Sequence, residues 1–372
     1  MFLTKLSLSQ YRNYDQLLFE TNKKVNIFVG SNAQGKTNLI ESIYVLALTK
    51  SHRTSQDKEL IRWNEIECKI TAEVEKKYGL TKFQFSITNA GKKAKINGLE
   101  QKRLSGYVGM LNVVLFAPED LEIVKGGPAI RRRFLDMEIG QVYPGYLFDL
   151  MQYHKVLLQR NNFLKQNPKL SEGNKTMMEV LNEQLVQFGI KIMKKRQSFI
   201  ETLQTWAEQT HSGITGGKEK LKITYQPSYD CDVDKDETVL FDQYMLKLSK
   251  VRDQELRRGM TIVGPHRDDL LFAINGKDVQ TFGSQGQQRT TALSLKLAEL
   301  ELIHEETGEY PLLLLDDVLS ELDRSRQTQL IETFQDKVQI FITTTGIEAL
   351  NMEKLNGAAI FDIHGASIRQ RL

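Results

Sequence analysis

Gly30-Ser31-Asn32-Ala33-Gln34-Gly35-Lys36-Thr37 sets two glycines, a lysine and a hydroxyl residue at the spacing G-x-x-x-x-G-K-[ST]. That spacing suits a run of linked phosphates. The glycines let the backbone turn its N–H groups inward, and a helix starting here adds partial positive charge. All eight residues are expected to bind ATP. Lys36 is expected to reach the β- and γ-phosphates as a catalytic cation, and Thr37 to offer its hydroxyl to Mg²⁺. A second pair able to do chemistry is Asp316-Asp317, at the end of Pro311-Leu312-Leu313-Leu314-Leu315. Asp316 is expected to hold Mg²⁺, directly or through water. Asp317 is expected to polarise the attacking water. A third segment is Ser284-Gln285-Gly286-Gln287-Gln288-Arg289. Ser284 can cap a helix, Gly286 allows close approach, and the amides that follow form another anion site. Ser284, Gly286 and Gln287 are therefore ATP-binding candidates.

Each group needs an element to place it. Val25-Asn26-Ile27-Phe28-Val29 reads as a buried strand before the phosphate loop, and Asn38 to Leu48 as the helix after it. The leucine run reads as a strand buried on both faces, the usual state in a parallel sheet. Carboxylates at its C-terminal end then face the crevice where ligands bind. A Leu- and Ala-rich helix is expected from Thr290 to about Glu305, and a further buried strand over Lys337 to Thr345. Alternation over Phe2 to Leu8 and over Glu67 to Val74 predicts strands. Thr88-Asn89-Ala90-Gly91 and Ile96-Asn97-Gly98 read as turns. The middle of the chain is helical. Leu181, Leu185, Phe188, Ile192, Phe199, Leu203 and Trp206 follow nearly a heptad repeat within a helix from Lys175 to about His211, and Tyr146 to Leu164 gives a second helix to pair with it. A helical arm is one reading of this pair and a plain helical subdomain the other. Asp230 to Glu237 is an exposed acidic loop without the Gly and terminal Glu of a calcium loop.

The 372 residues are 40% hydrophobic and 26% charged, enough for a sizeable core and about two domains. No apolar run reaches membrane-spanning length, and Met1 to Leu6 is not a signal peptide. Cys68 and Cys231 are too few for a disulfide framework, and the histidines lack metal-ligand spacing, so a reducing cytoplasm is expected. The net charge of +3 excludes a polycation. Local basic clusters, Arg131-Arg132-Arg133 and Lys194-Lys195-Arg196 foremost, read either as solvated faces or as a DNA-binding footprint if they share one surface.

In this order the segments look like a P-loop, a variant ABC signature motif, a Walker B strand and, at Ser320-Glu321-Leu322-Asp323, a D-loop. The whole chain resembles the RecF family, bacterial recombination and replication-repair ATPases related to the SMC proteins. Family-like segments are Tyr11-Arg12-Asn13-Tyr14, Ser51-His52-Arg53, Phe116 to Leu121, Gly127 to Asp136, Gln159-Arg160-Asn161, Gly264-Pro265-His266-Arg267-Asp268-Asp269 and Leu314 to Asp323.

The resemblance implies an α/β fold, an ABC/SMC-type P-loop ATPase head (lobe I) carrying an inserted, mostly helical lobe II. The expected boundaries are 1–115 for the P-loop part of lobe I, 116–258 for the helical lobe with a short arm, and 259–372 for the part of lobe I with the signature motif, Walker B and D-loop. It implies an ATP-dependent homodimer, each nucleotide held between one P-loop and the other subunit's Ser284 and Gly286. It implies binding to double- and single-stranded DNA at gaps and junctions, and cooperation with RecO and RecR to load RecA. Arg12 is either a nucleotide contact or a surface arginine before a turn. Asp317 stands where ABC transporters carry Glu, and its shorter reach predicts slow hydrolysis, which the resemblance implies is stimulated by DNA. Two other readings are an ATPase subunit of a transporter, disfavoured by the large helical insert and the variant signature, and a DNA-binding protein that uses ATP only to hold a dimer.

Overall fold

The computed structural model describes residues 1–319, 324–347, 355 and 357–371; Ser320-Glu321-Leu322-Asp323, the expected D-loop, lies outside them. The chain opens with β1 (Phe2–Tyr11), β2 (Tyr14–Glu20), β3 (Val25–Val29), α1 (Lys36–Leu48), β4 (Glu67–Lys76), β5 (Gly79–Thr88), β6 (Gly91–Ile96), β7 (Leu99–Glu100) and β8 (Val113–Phe116). Its middle is α2 (Leu121–Lys125), α3 (Pro128–Val142), α4 (Pro144–Gln166), α5 (Glu172–Thr215), β9 (Leu221–Gln226), α6 (Glu237–Arg258), β10 (Asp269–Ile274), β11 (Lys277–Asp278) and α7 (Val279–Phe282). Then come α8 (Gln285–Thr307), β12 (Leu312–Asp316), α9 (Arg324–Phe334), β13 (Ile340–Thr344), β14 (Ala359–His364) and β15 (Ser367–Gln370). Two compact units result. Unit 1 holds 1–120, 213–216 and 292–372; unit 2 holds 121–212 and 217–291.

Unit 1 contains two sheets. One has the order β15-β14-β3-β13-β12-β8, with β14, β3, β13, β12 and β8 running parallel. Its central strands Val25–Val29, Leu312–Asp316 and Ile340–Thr344 are buried at every residue, as parallel strands covered on both faces must be. The other sheet, β2-β1-β4-β5-β6-β7, is antiparallel and alternates: Cys68, Ile70, Ala72 and Val74 of β4 turn inward. Phe19, Phe28, Phe341 and Phe361 pack ring on ring between the sheets, with centroids 5.0 Å apart at the closest. Gln339 joins the two sheets: its Nε2 donates to the Leu3 carbonyl at 2.9 Å, and the Leu3 N–H donates to its Oε1 at 2.6 Å. Helix α1 is buried except at Thr37 and Asn38, so its sequence is apolar nearly all round.

Unit 2 is helical with a small sheet, β11-β10-β9. The expected boundary at 258 is corrected to 291. Strand β10 pairs with β9 from Asp269↔Gln226 to Ile274↔Leu221. Arg131 of α3 forks onto Asp269 at 2.6 and 2.8 Å, and Gln280 donates to the carbonyls of Lys125 and Gly126. These bonds fix 259–291 to the helices, and the signature segment goes with them.

Helix α5, 44 residues, spans about 65 Å. Leu181, Leu185, Ile192, Phe199 and Leu203 are buried as the repeat predicts, but so are Val186, Ile190, Met193 and Ile200. That stripe is wider than a two-helix seam. A Cβ on Gly189 would stand 2.9 Å from Tyr244 and 3.4 Å from Tyr153, so the middle of α5 is core. Its outer end closes on a small cluster of Met178, Leu164 and Leu256.

The deepest polar link in this unit is Arg160–Glu255, both fully buried and 2.6 Å apart. Arg160 also donates to Asn182 and Thr261. Glu255→Ala leaves that guanidinium without its carboxylate and should cost about 3–5 kcal/mol. A lowered urea midpoint is expected; an unchanged midpoint would contradict the buried pairing.

Candidate functional site

The phosphate loop follows β3 and opens α1. Ala33 (φ 65°) and Gly35 (φ 114°) take the left-handed conformation. At Gly35 a side chain is excluded twice over, because a Cβ would also lie 2.9 Å from Asn13 Nδ2 and from the Tyr14 hydroxyl. That hydroxyl donates to the Gly35 carbonyl at 3.0 Å. The β1–β2 turn thus braces one side of the loop. On the other side Gly365 N–H donates to Gln34 Oε1 at 2.7 Å and Ala366 N–H to the Gln34 carbonyl at 3.1 Å. Gly35 is the N-cap of α1 and supplies no capping side chain, so the first helical N–H groups face no competing acceptor from it. Lys36 is buried; its Nζ donates to the carbonyls of Gly30 at 2.6 Å and Ser31 at 2.9 Å. Burial lowers its pKa, opposed by the charges of Asp317 and Asp316. The ammonium is held over the loop on carbonyls it can exchange for phosphate oxygens.

The parallel register brings the Walker B carboxylate to this loop. Asp316 lies opposite Thr343 on β13, and Thr343 opposite Phe28 on β3, so the strand ends share one edge. Thr37 Oγ1 donates to Asp316 Oδ1 at 3.0 Å, and Thr343 Oγ1 to the same oxygen at 2.6 Å. Burial pushes the Asp316 pKa up, and the two hydroxyls pull it back. A hydroxyl beside one carboxylate is a hard oxygen donor pair. It fits Mg²⁺, which is usually bound by one or two carboxylates together with waters and substrate phosphates. Among the described residues no group of three or more His, Cys, Asp or Glu could make a protein-only cage. Asp317 adopts φ 55°, a left-handed conformation costing about 1–3 kcal/mol in a non-glycine residue. Its N–H donates to Thr343 Oγ1 at 2.9 Å. Thr343 therefore fixes both aspartates.

Arg12 does not point free toward a ligand. Its Nε and Nη2 fork onto Glu41 at 2.8 and 2.7 Å, and its Nη1 donates to the Glu59 carbonyl at 2.9 Å. Glu41, on α1 and fully buried, also accepts from Tyr11 and Ser51. Burial alone would raise its pKa, but Arg12 and Ser51 hold it below the usual carboxylate value. Arg12 thereby ties the β1–β2 turn to α1. Glu41 and Thr343 escaped sequence reading. The available signal for Glu41 was a lone carboxylate in an otherwise apolar helix.

In unit 2, Ser284 and Gln287 form a reciprocal cap at the start of α8. Gln287 N–H donates to Ser284 Oγ at 3.2 Å, and Ser284 N–H to Gln287 Oε1 at 2.9 Å. Ser284, Gln285 and Gly286 are exposed. A Cβ on Gly286 would meet no atom closer than Ser284 Oγ at 3.9 Å. The fold of this chain does not itself require glycine there.

The expected DNA-binding footprint needs correction. Arg131 and Arg196 are buried, 3% and 1% exposed. Arg131 pairs with Asp269, while Arg196 pairs with Asp136 and donates to the Pro265 carbonyl. Arg132 is half-buried and donates to the Asp268 carbonyl, and Lys195 sits 3.0 Å over the Tyr143 ring. A buried ion pair is too costly to open for a surface ligand. Of the six, Arg133 is exposed and Lys194 half-buried.

A phosphate loop, a carboxylate-tipped parallel strand and a glycine-bearing signature turn define an ATPase head of the ABC/SMC class. Residues 2–362 match the RecF/RecN/SMC N terminal domain family. The chain is 53% identical over 368 residues to the DNA replication and repair protein RecF of Bacillus subtilis (strain 168), covering 99% of this chain and 100% of that one. It is 53% identical over 370 residues to that of Lysinibacillus sphaericus (strain C3-41), covering 100% of both. A solved structure of the recombination mediator protein RecF-ATP in the RecFOR pathway superposes with TM-score 0.92 at 35% identity, covering 100% of this chain and 98% of that one. The Smc head domain of Pyrococcus furiosus, at 16% identity and TM-score 0.55, covering 100% of this chain and 96% of that one, shares the fold. The chain belongs to the RecF family, and the transporter reading is set aside.

Thr343→Val removes the hydroxyl that orients Asp316 while leaving the phosphate loop whole. ATP affinity in Mg²⁺ should fall by roughly 10–100-fold. ATP affinity in EDTA should be unchanged. Titration calorimetry under both conditions checks this, and equal losses in the two would contradict it.

Proposed function

We infer that the chain is an ATP-gated DNA-binding protein of recombinational repair and replication. It dimerises on ATP, holds gapped or junction DNA, and acts with RecO and RecR to load RecA at single-strand gaps. The relatives named above are DNA replication and repair proteins, and one solved relative is a recombination mediator in its ATP form. The observation that carries the reading is the bond from Thr37 to Asp316, which joins the phosphate loop to the Walker B strand. Mg²⁺, when bound, neutralises charge building on the phosphates. Thr37 and Asp316 would hold it, Lys36 would grip the terminal phosphates, and Asp317 would orient water. Ser284, Gly286 and Gln287 are offered to the nucleotide of a second copy, which the open face over Gly286 favours. Hydrolysis is slow, DNA-stimulated, and resets the dimer. No helix of the described residues is long and apolar enough to cross a membrane, in keeping with action on DNA in the cytoplasm.

Two variants separate binding from turnover. Asp317→Asn should lower steady-state hydrolysis by about 100-fold or more and leave ATP affinity within a few-fold. In Mg-ATP it should retain a gapped duplex in an electrophoretic shift as well as the parent does. Lys36→Ala should lose ATP binding and DNA retention together. Full DNA retention by Lys36→Ala with no nucleotide bound would overturn the gated reading.

A further inference from the structure

The signature turn is not held by its own cap alone. Gln287, whose Oε1 accepts from the Ser284 N–H, sends its Nε2 to Glu219 Oε1 at 2.9 Å. The other carboxylate oxygen of Glu219 lies 3.2 Å from Nε2 of His211. His211 is fully buried on the last turns of α5. Both oxygens of one carboxylate are therefore used, one toward the long helix and one toward the signature turn. The two ends are held firmly. Gly217 N–H closes back on the Ser212 carbonyl at 2.8 Å, and Gly217 takes φ 76° at the reversal. Two helical turns before His211, Gln204 clamps the start of β9: it donates to the Leu221 carbonyl at 3.0 Å and accepts from the Ile223 N–H at 2.5 Å. Glu219 thus sits on a short reversal anchored to α5 on both sides, and its side chain is the polar arm reaching from there to Gln287.

A Gln amide has two ends, and here both are spoken for. The carboxylate takes the NH₂ end, which leaves the oxygen end to accept from Ser284. Without the carboxylate the amide can flip or swing to solvent, and the reciprocal cap opens on the Ser284 side. The Ser284 backbone would then lose its tie to the Gln287 side chain, leaving the turn held only by the Gln287 N–H on the Ser284 hydroxyl.

We propose that Glu219 is the positioning residue of the signature turn, held in place by His211, so that the end of α5 sets the direction in which Ser284 and Gly286 are presented. The proposal rests on the reading above that these residues meet a second copy's nucleotide. Glu219 touches no nucleotide in its own right; it acts through Gln287.

The test uses the full chain and three variants: Glu219→Ala, Glu219→Gln and Ser284→Arg. ATP-driven dimerisation is read by sedimentation velocity in Mg-ATP, and single-protomer ATP affinity by titration at dilute protein. Glu219→Ala should weaken the dimer about tenfold, the worth of one oriented hydrogen bond of ~1.4 kcal/mol. Its ATP affinity should stay at the parent value, and its melting temperature should fall only by what the buried His211 loses with its partner. Glu219→Gln keeps a carbonyl acceptor for Gln287 and should recover most of the loss. Equal weakening of ATP affinity, or a fall in melting temperature that tracks the dimer loss, would overturn the proposal in favour of a merely structural role. So would a parent-like dimer in Glu219→Ala while Ser284→Arg abolishes dimerisation. If Ser284→Arg itself dimerises like the parent, the second-copy reading fails, and the proposal that rests on it falls too.

Discussion

One carboxylate oxygen, Asp316 Oδ1, holds the nucleotide site together. It accepts from Thr37 at the start of α1 and from Thr343 at the end of β13. Thr37 and Asp316 are 279 positions apart in the chain. Only the parallel register of β3, β13 and β12 brings them to one edge. The loop's fixed strand ends come from a buried sheet, and its central strands are mostly apolar because a parallel sheet covered on both faces has no wet side. Asp316 accepts the cost of burial at this point. Its raised pKa reflects that cost, and the two hydroxyls limit it.

A second carboxylate, Glu41, does for the loop's wall what Asp316 does for its floor. A buried charge is tolerated only when paired and hydrogen-bonded, and Glu41 collects Arg12, Tyr11 and Ser51. The pair fixes the β1–β2 turn, whose Tyr14 in turn holds the Gly35 carbonyl. Unit 2 uses the same device. Arg131–Asp269, Arg196–Asp136 and Arg160–Glu255 are all largely removed from water. Breaking any of them strands a charge, which makes the arrangement specific even where it adds little net stability.

Much of the site was legible because its signals are local. The phosphate loop, its flanking strand and helix, the Leu312–Asp316 strand and the capped start of α8 each announce themselves in under a dozen residues. The arginines misled for a physical reason. A run such as Arg131-Arg132-Arg133 looks the same whether it faces solvent or bends inward to a carboxylate more than a hundred residues away. The boundary near 258 was misplaced similarly, since the β9–β10 pairing that moves it is non-local. The heptad pattern in α5 was real, but Gly189 and its close contact with Tyr244 turn that stretch into core. Glu41 showed only as a lone carboxylate in an apolar helix and Thr343 only as part of a buried strand's end, and their roles come from what the fold sets beside them.

The central claim is that ATP bound at the Thr37–Asp316 site joins two copies of this chain. The most direct measurement is the mass of the Asp317→Asn protein by light scattering, with and without Mg-ATP and then with a gapped duplex. The account predicts a monomer without nucleotide, a dimer with it, and a heavier species once DNA is added. A monomer under all three conditions, with ATP bound, would contradict it.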